Sequence, residues 1–212
     1  TVIVALVTAV ISVILAFVLA YSARVGRSRA TAFAARSATM GYAVPGTVLA
    51  IGVLIPLATI DNALTSSIRA WFGFNPGLLL SGTAFAIVYA LTARFLTMAE
   101  GTVEAGFHKL PLSLDHAART LGRTAPQTAW TILVPVMRPA IHTAGLLVFI
   151  ETIKELSTTI LLRPFNFNTL ATLVYEDASR SQVPDAAVPA LIIVLAGLVP
   201  VVMVSRTLDR GR

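Results

Sequence analysis

Cysteine is absent from the 212 residues, which excludes thiol catalysis, disulfide bonding and cysteine-ligated metal and leaves the redox compartment open. Charge is scarce: Asp, Glu, Lys and Arg make up 12% of the chain, where a soluble domain carries about 25%. No phosphate-binding G-x-x-x-x-G-K-[ST] loop, H-E-x-x-H zinc motif or nucleophile elbow occurs. The chain alone therefore reads as a non-enzyme that does not hydrolyse ATP. His108, His116 and His142 show no metal-ligand spacing, so metal binding is left unassigned.

What is present is apolar. Hydrophobic residues make up 56% of the sequence, and the mean hydropathy is +0.82. Runs of roughly 20 apolar residues are long enough to cross a bilayer, and five are found: about Val2 to Tyr21, Tyr42 to Ile60, Leu78 to Met98, Ala140 to Leu162 and Ala186 to Val204. An isolated span can satisfy its backbone only internally, so each is expected to be helical. The predicted fold is an all-α, polytopic transmembrane domain over 1–212, with no internal repeat or low-complexity linker. The chain starts at Thr1 and passes almost directly into a span, which reads as a portion of a longer polypeptide.

The net charge of +6 is distributed by side. Arg24, Arg27, Arg29 and Arg36 occupy the first connection. Lys109, Arg119, Arg123 and Arg138 occupy the third, and Arg206, Arg210 and Arg212 the tail. The second connection has Arg69, and the fourth has Arg163 and Arg180. Basic residues collect on cytoplasmic loops, so the first and third connections and the C-terminus are expected in the cytoplasm and Thr1 on the outer side. Arg94, towards the cytoplasmic end of the third span, is expected to snorkel to the interface. Trp71, Phe72 and Phe74 suit an interfacial aromatic belt.

The cytoplasmic connection contains "SLDHAARTLGRTAPQTAWTILVP", residues 113–135, with the whole loop spanning about 104–138. Its spacing predicts two short helices. Ser113 is placed at the first N-cap and Asp115 in the first turn, where negative charge meets the helix dipole. Leu114, Ala117, Ala118 and Leu121 recur at helical spacing as an apolar face, and Gly122 ends the helix in a left-handed conformation. Thr124 and Gln127 are spaced as a capping box, with Pro126 near the first helical position. Pro135 and Pro139 close the second helix. A re-entry loop lying on the membrane surface is one reading. A DNA-binding helix-turn-helix fits only loosely, and a tight tether between two spans argues against a nucleic-acid partner.

The same stretch resembles the E-A-A…G…I-x-L-P loop of permease subunits from binding-protein-dependent ABC importers. Ala117, Ala118, Gly122, Ile132 and Pro135 fall at the matching positions; Val134 replaces leucine, and His116 stands where the family has glutamate. The resemblance implies a coupling helix on a cytoplasmic ATPase dimer, with Asp115, His116, Ala117, Ala118, Gly122 and Arg123 as the coupling residues. ATP and magnesium would belong to that partner, with no cofactor in this chain.

In the fourth span, Glu151, Lys154 and Glu155 lie at i, i+3 and i+4, on neighbouring faces of one helix. Charges at that depth cost roughly 2.5–3.5 kcal/mol each on insertion scales. They read either as a polar lining or gate of a translocation path or as an ion-pair cluster that locks helix packing. Downstream, "KELSTTILLRPFNFNTLAT" (154–172) resembles the corresponding segment of iron(III) importer permeases, with parts shared by phosphonate and thiamine permeases. Likeness extends over essentially the whole chain, as a C-terminal repeat of a fused two-repeat permease. It implies a bacterial inner-membrane component that works with a second permease repeat or subunit and a periplasmic substrate-binding protein. Phe165, Asn166, Phe167, Tyr175 and Glu176 are the docking candidates for the latter. An ion-gradient-driven secondary transporter is the alternative of a different class.

Overall fold

Between Val2 and Val25 the sequence has no glycine or proline and no charge before Arg24, and it forms one uninterrupted helix, α1 (Val2–Val25). The computed structural model describes residues 1–26, 33, 37, 38 and 40–209, with side chains described except at 199, 200 and 203–209. Arg27, Arg29, Arg36, Arg210 and Arg212, counted above for topology, lie outside the described residues, as does the side chain of Arg206.

The further helices are α2 (Gly46–Phe72), α3 (Ala84–His108), α4 (Ser113–Thr120), α5 (Ala125–Val136), α6 (Arg138–Ile153), α7 (Thr159–Leu162), α8 (Leu170–Ser179) and α9 (Val183–Asp209). There is no strand among the described residues. The middle of α5, Ala129–Leu133, is wound as a π-helix. The all-helical reading holds.

Among the described residues, five spans are not confirmed. Three helices, α1, α2 and α3, are long and apolar enough to cross a membrane, and a fourth crossing arises only if α5 and α6, bent by 78°, count as one. The apolar described part of α9, Val183–Leu198, is shorter than a full crossing. Two boundaries also move. α2 continues past Ile60 to Phe72, carrying Asp61 and Arg69 inside a helix, and α3 begins only at Ala84 and runs to His108. Hydropathy marks the oily part of a helix, whereas the hydrogen-bonded backbone continues through polar residues to the next real stop. For α2 that stop is Gly73, left-handed at φ 73°.

α1, α3 and α6 pack against one another, with α2 against α3 and α7, and α9 against α8 and α6. The contact surfaces are built from small residues: Ala5, Ala9, Ala16 and Ala20 on α1, Ala86, Ala90 and Ala99 on α3, and Ala144 on α6 are buried. In lipid, tails compete equally for apolar side chains, so helices associate through close van der Waals contact, which small residues permit. Ile87, Leu91 and Phe95 on α3 fill the space between them, while other large apolar residues point outwards, among them Ile3, Val10 and Ile14 on α1 and Ile51 and Ile55 on α2.

Near the end of α1, Tyr21 stacks on Phe107 and Phe17 meets the same ring at a tilt. Phe107 is near the end of α3, and since α1 and α3 pack along one another, the two helices run in the same direction. The bundle thus has two distinguishable ends. The C-termini of α1 and α3 meet α4 and α5 at one; at the other, Thr1 Oγ1 accepts from the Leu170 N–H at 2.7 Å.

Candidate functional site

At the Arg24 end, the connection after α3 folds as two helices around a glycine. After Pro111 the chain turns tightly, with the Leu114 N–H on the Pro111 carbonyl and the Asp115 N–H on the Leu112 carbonyl. This draws the helix start back by one residue: Leu112 is the N-cap and Ser113 the first helical residue, not the cap. The other end follows its spacing. Gly122 is left-handed at φ 78°; its N–H bonds to the Arg119 carbonyl and the Arg123 N–H to the Ala118 carbonyl, a Schellman closure that favours glycine. Thr124 caps α5, and its N–H donates to Gln127 Oε1 at 2.9 Å. Arg123 reaches across the turn to Thr131 Oγ1.

Only one side of this unit is buried. Asp115 and Ala118 face the bundle, Ala118 being 2% exposed. His116, Ala117, Arg119, Gly122 and Arg123 are exposed, and so are Leu112, Trp130 and Leu121, the last at 81%. The four apolar positions at helical spacing therefore do not form one buried face: Leu114 is half-buried, while Ala117 and Leu121 point away.

Arg24 holds the inward side. Its Nε donates to Asp115 Oδ2 at 2.8 Å, its Nη1 to the Phe107 and Leu110 carbonyls at 2.9 and 3.1 Å, and its Nη2 to the Pro111 carbonyl at 3.0 Å. The guanidinium also lies over the Phe107 ring, 5.5 Å from its centre. One turn earlier the Tyr21 hydroxyl donates to the Ala125 carbonyl at 3.0 Å. The end of α1 thus touches both halves of the unit. In the sequence, Arg24 carries only a topological signal.

The second polar site lies inside the bundle. Glu151, Lys154 and Glu155 do not share one helix, because α6 stops at Ile153 and residues 154–158 are not helical before α7 begins. The Glu155 carboxylate accepts from the Thr158 N–H at 2.8 Å, the Thr159 N–H at 3.1 Å and the Thr159 hydroxyl at 2.9 Å. Short polar side chains and carboxylates that bond nearby backbone compete with helix continuation, and the run Glu155–Leu156–Ser157–Thr158–Thr159 concentrates them. Non-helical backbone at membrane depth is tolerated where protein buries it; Glu155, Thr158 and Thr159 are all buried.

Lys154 and Glu151 do pair, at 2.6 Å, with the lysine side chain about half exposed. Glu155 has a different partner: Arg94, whose Nη1 lies 3.8 Å from its Oε1. Arg94 sits near the middle of the 25-residue α3 and points inward, so the snorkelling expectation is corrected. Its Nε and Nη1 are buried and make no hydrogen bond among the described residues, which leaves Glu155 as its charge partner. Gly46, opening α2, completes the junction. A Cβ there would lie 2.1 Å from Arg94 Nη1 and 2.9 Å from both Ser157 Cβ and Thr158 Oγ1, and the Thr158 hydroxyl donates to the Gly46 carbonyl at 3.3 Å. Three separate segments therefore converge on one ion pair.

At the opposite end of the bundle, the segment 163–172 is tied together by its own polar groups. Arg163 engages both Asn168 and Glu176, Asn166 is left-handed at φ 60°, and Thr169 caps α8 through a reciprocal bond with Thr172. Phe167 is half-buried against the core. Of the five docking candidates, Phe165, Asn166 and Tyr175 are exposed, while Phe167 and Glu176 are engaged within the fold. Asp61, not singled out from sequence, organises the second connection. It is fully buried on α2 and accepts from the Leu79, Leu80 and Ser81 N–H groups and the Ser81 hydroxyl, at 2.6–3.2 Å. Trp71, Phe72 and Phe74 beside it are exposed.

Three known proteins bear on this arrangement. The chain is 28% identical over 198 residues to the Fe(3+)-transport system permease protein FbpB 2 of Haemophilus influenzae, covering 93% of this chain. It is 31% identical over 152 residues to the trehalose transport system permease protein SugB of Mycobacterium tuberculosis, covering 71% of this chain and 48% of SugB. Its backbone superposes with a TM-score of 0.63 on a chain of the inward-facing MetNI methionine ABC transporter, covering 100% of this chain and 94% of that one at 18% identity. The chain has the membrane-domain fold of an ABC transporter. The resemblance to ABC importer permeases is borne out by these relatives. The chain spans 36% of the length of FbpB 2. No family model matches it. Its apolar helices and permease relatives make it part of a multi-pass membrane protein.

Proposed function

We propose that this chain is the membrane-spanning permease part of an ATP-driven importer whose cargo is iron(III). The observation that carries the reading is the α4–α5 unit: rigidly closed at Gly122, anchored inward through Asp115 and Ala118, and exposed outward through His116, Ala117, Gly122 and Arg123. On a permease fold this is a surface suited to a cytoplasmic ATPase dimer, which would bind ATP and magnesium. The excess of arginine at that end supports placing it in the cytoplasm of a bacterial inner membrane, with Thr1 and residues 163–172 on the periplasmic side. A second permease repeat or subunit would complete the translocation path, and a periplasmic binding protein would deliver substrate over Phe165, Asn166 and Tyr175. Glu151, Lys154 and Glu155 would line or gate the path. Two relatives named for ferric transport support the cargo: FbpB 2 and the ferric transport system permease protein FbpB of Actinobacillus pleuropneumoniae, 27% identical over 150 residues.

The test is uptake into proteoliposomes holding the full-length protein with its ATPase and binding protein. Accumulation of labelled iron(III) should require ATP and stop when the phosphate-loop lysine of the ATPase is replaced. ATP-driven uptake of trehalose in place of iron would reassign the cargo. Uptake that follows an ion gradient and ignores ATP would overturn the importer reading and leave a secondary transporter.

A further inference from the structure

We infer that Arg24 is the positioning residue through which movement of the α4–α5 unit enters the membrane bundle. The inference rests on the coupling role proposed above and adds the route. α4 and α5 are short, and a force applied to their exposed face needs a stiff connection to the packed helices. Arg24 supplies one of unusual density. A single guanidinium, with its side chain 9% exposed, joins α1 to three successive parts of the chain: the end of α3 at Phe107, the turn at Leu110 and Pro111, and the first turn of α4 at Asp115.

Asp115 takes the one charge-paired hydrogen bond, at 2.8 Å, and the three carbonyls take the other three, at 2.9–3.1 Å. Carbonyls fixed in a turn require a rigid fork of donors, which arginine has and lysine lacks. Tyr21 extends the contact to Ala125, so α1 grips the unit before and after Gly122. α1 in turn packs along α3 and α6, and α6 leads to the break at 154–158. A displacement of α4–α5 is thereby delivered to the helix that ends beside Glu155.

The test uses the assembled transporter in proteoliposomes and reads iron(III) transported per ATP hydrolysed. That ratio separates coupling from folding, because a merely structural defect lowers the amount of assembled transporter without changing it. Arg24→Lys keeps the charge opposite Asp115 and loses the fork. Its ratio is expected to fall about tenfold, inside the range of typical coupling energies between linked sites. A double variant, Arg24→Cys with Asp115→Cys, removes both charges, so neither is left buried alone. Its ratio should fall similarly and recover when a short bifunctional thiol-reactive cross-linker, such as a bis-methanethiosulfonate, bridges the two cysteines. An unchanged ratio in Arg24→Lys, or a bridged double variant that stays uncoupled, would overturn the inference while the importer reading stands. ATP-independent transport by the parent protein would instead sink the importer reading itself.

Discussion

Glu155→Ala is expected to destabilise the protein by about 3 kcal/mol or more, the range found when one partner of a buried ion pair is removed, and to abolish transport. Two losses combine. The Thr158 and Thr159 N–H groups and the Thr159 hydroxyl lose their acceptor, and Arg94 keeps a charge whose nearest carboxylate has gone. Conservative variants separate them. Glu155→Gln retains an amide oxygen for the α7 backbone but removes the charge, so it should fall between the parent and the alanine variant. If the orphaned arginine dominates, Arg94→Gln combined with Glu155→Gln should be more stable than Glu155→Gln alone. Denaturant or thermal unfolding in detergent reads all four proteins. An alanine variant as stable as the parent would show that the ion pair and the cap do not hold the break.

Asp61→Ala should have the other large effect, and a local one. Asp61 is the acceptor for three successive N–H groups and a serine hydroxyl, and each buried donor left unsatisfied costs about 1–3 kcal/mol. The connection 73–83 should come away from α2 while the packing of α1, α3 and α6 persists. Hydrogen exchange would reveal it: amides of Leu79, Leu80 and Ser81 should exchange much faster in Asp61→Ala, those of Ala86 to Leu91 little faster. Asp61→Asn, which keeps one acceptor oxygen, should lie between. Uniform acceleration throughout α3 would mean that Asp61 supports the bundle as a whole and not this connection.

These two carboxylates mark the limits of reading the chain from its letters. The features that local chemistry determines were legible. Gly122 turns where a left-handed residue is needed, and Thr124 with Gln127 and Pro126 opens α5 as their spacing requires. Both depend on atoms within a few residues. The apolar runs located the helices of the bundle for a similar reason, since any segment that meets lipid must be oily along its length.

What was not legible depends on partners far away in sequence. Hydropathy treats 140–162 as one run, because Leu156, Ile160, Leu161 and Leu162 outweigh the polar positions. It cannot register that Glu155 turns its carboxylate onto the backbone of Thr158 and Thr159 and ends the helix. The i, i+4 relation between Glu151 and Glu155 disappears with that break, and Glu155 pairs instead with Arg94, 61 positions earlier in the chain. Arg24 was harder still, since its acceptors are mainly backbone carbonyls 83 to 87 residues away, and carbonyls carry no sequence signature. Asp61 and Arg94 did leave one readable sign: each is a lone charge within an apolar stretch, and such residues usually face protein and a partner.

The central claim is that the exposed face of α4–α5 meets an ATPase, and site-directed cross-linking tests it most directly. Leu121 is the position of choice, being 81% exposed on that face, in a chain with no native cysteine to compete. In native membranes, Leu121→Cys in the full-length protein should capture a nucleotide-binding subunit with a yield that changes on adding ATP, whereas Ala118→Cys, on the buried side, should not. Absence of any capture at Leu121→Cys, with transport continuing when ATP is withdrawn, would contradict the account.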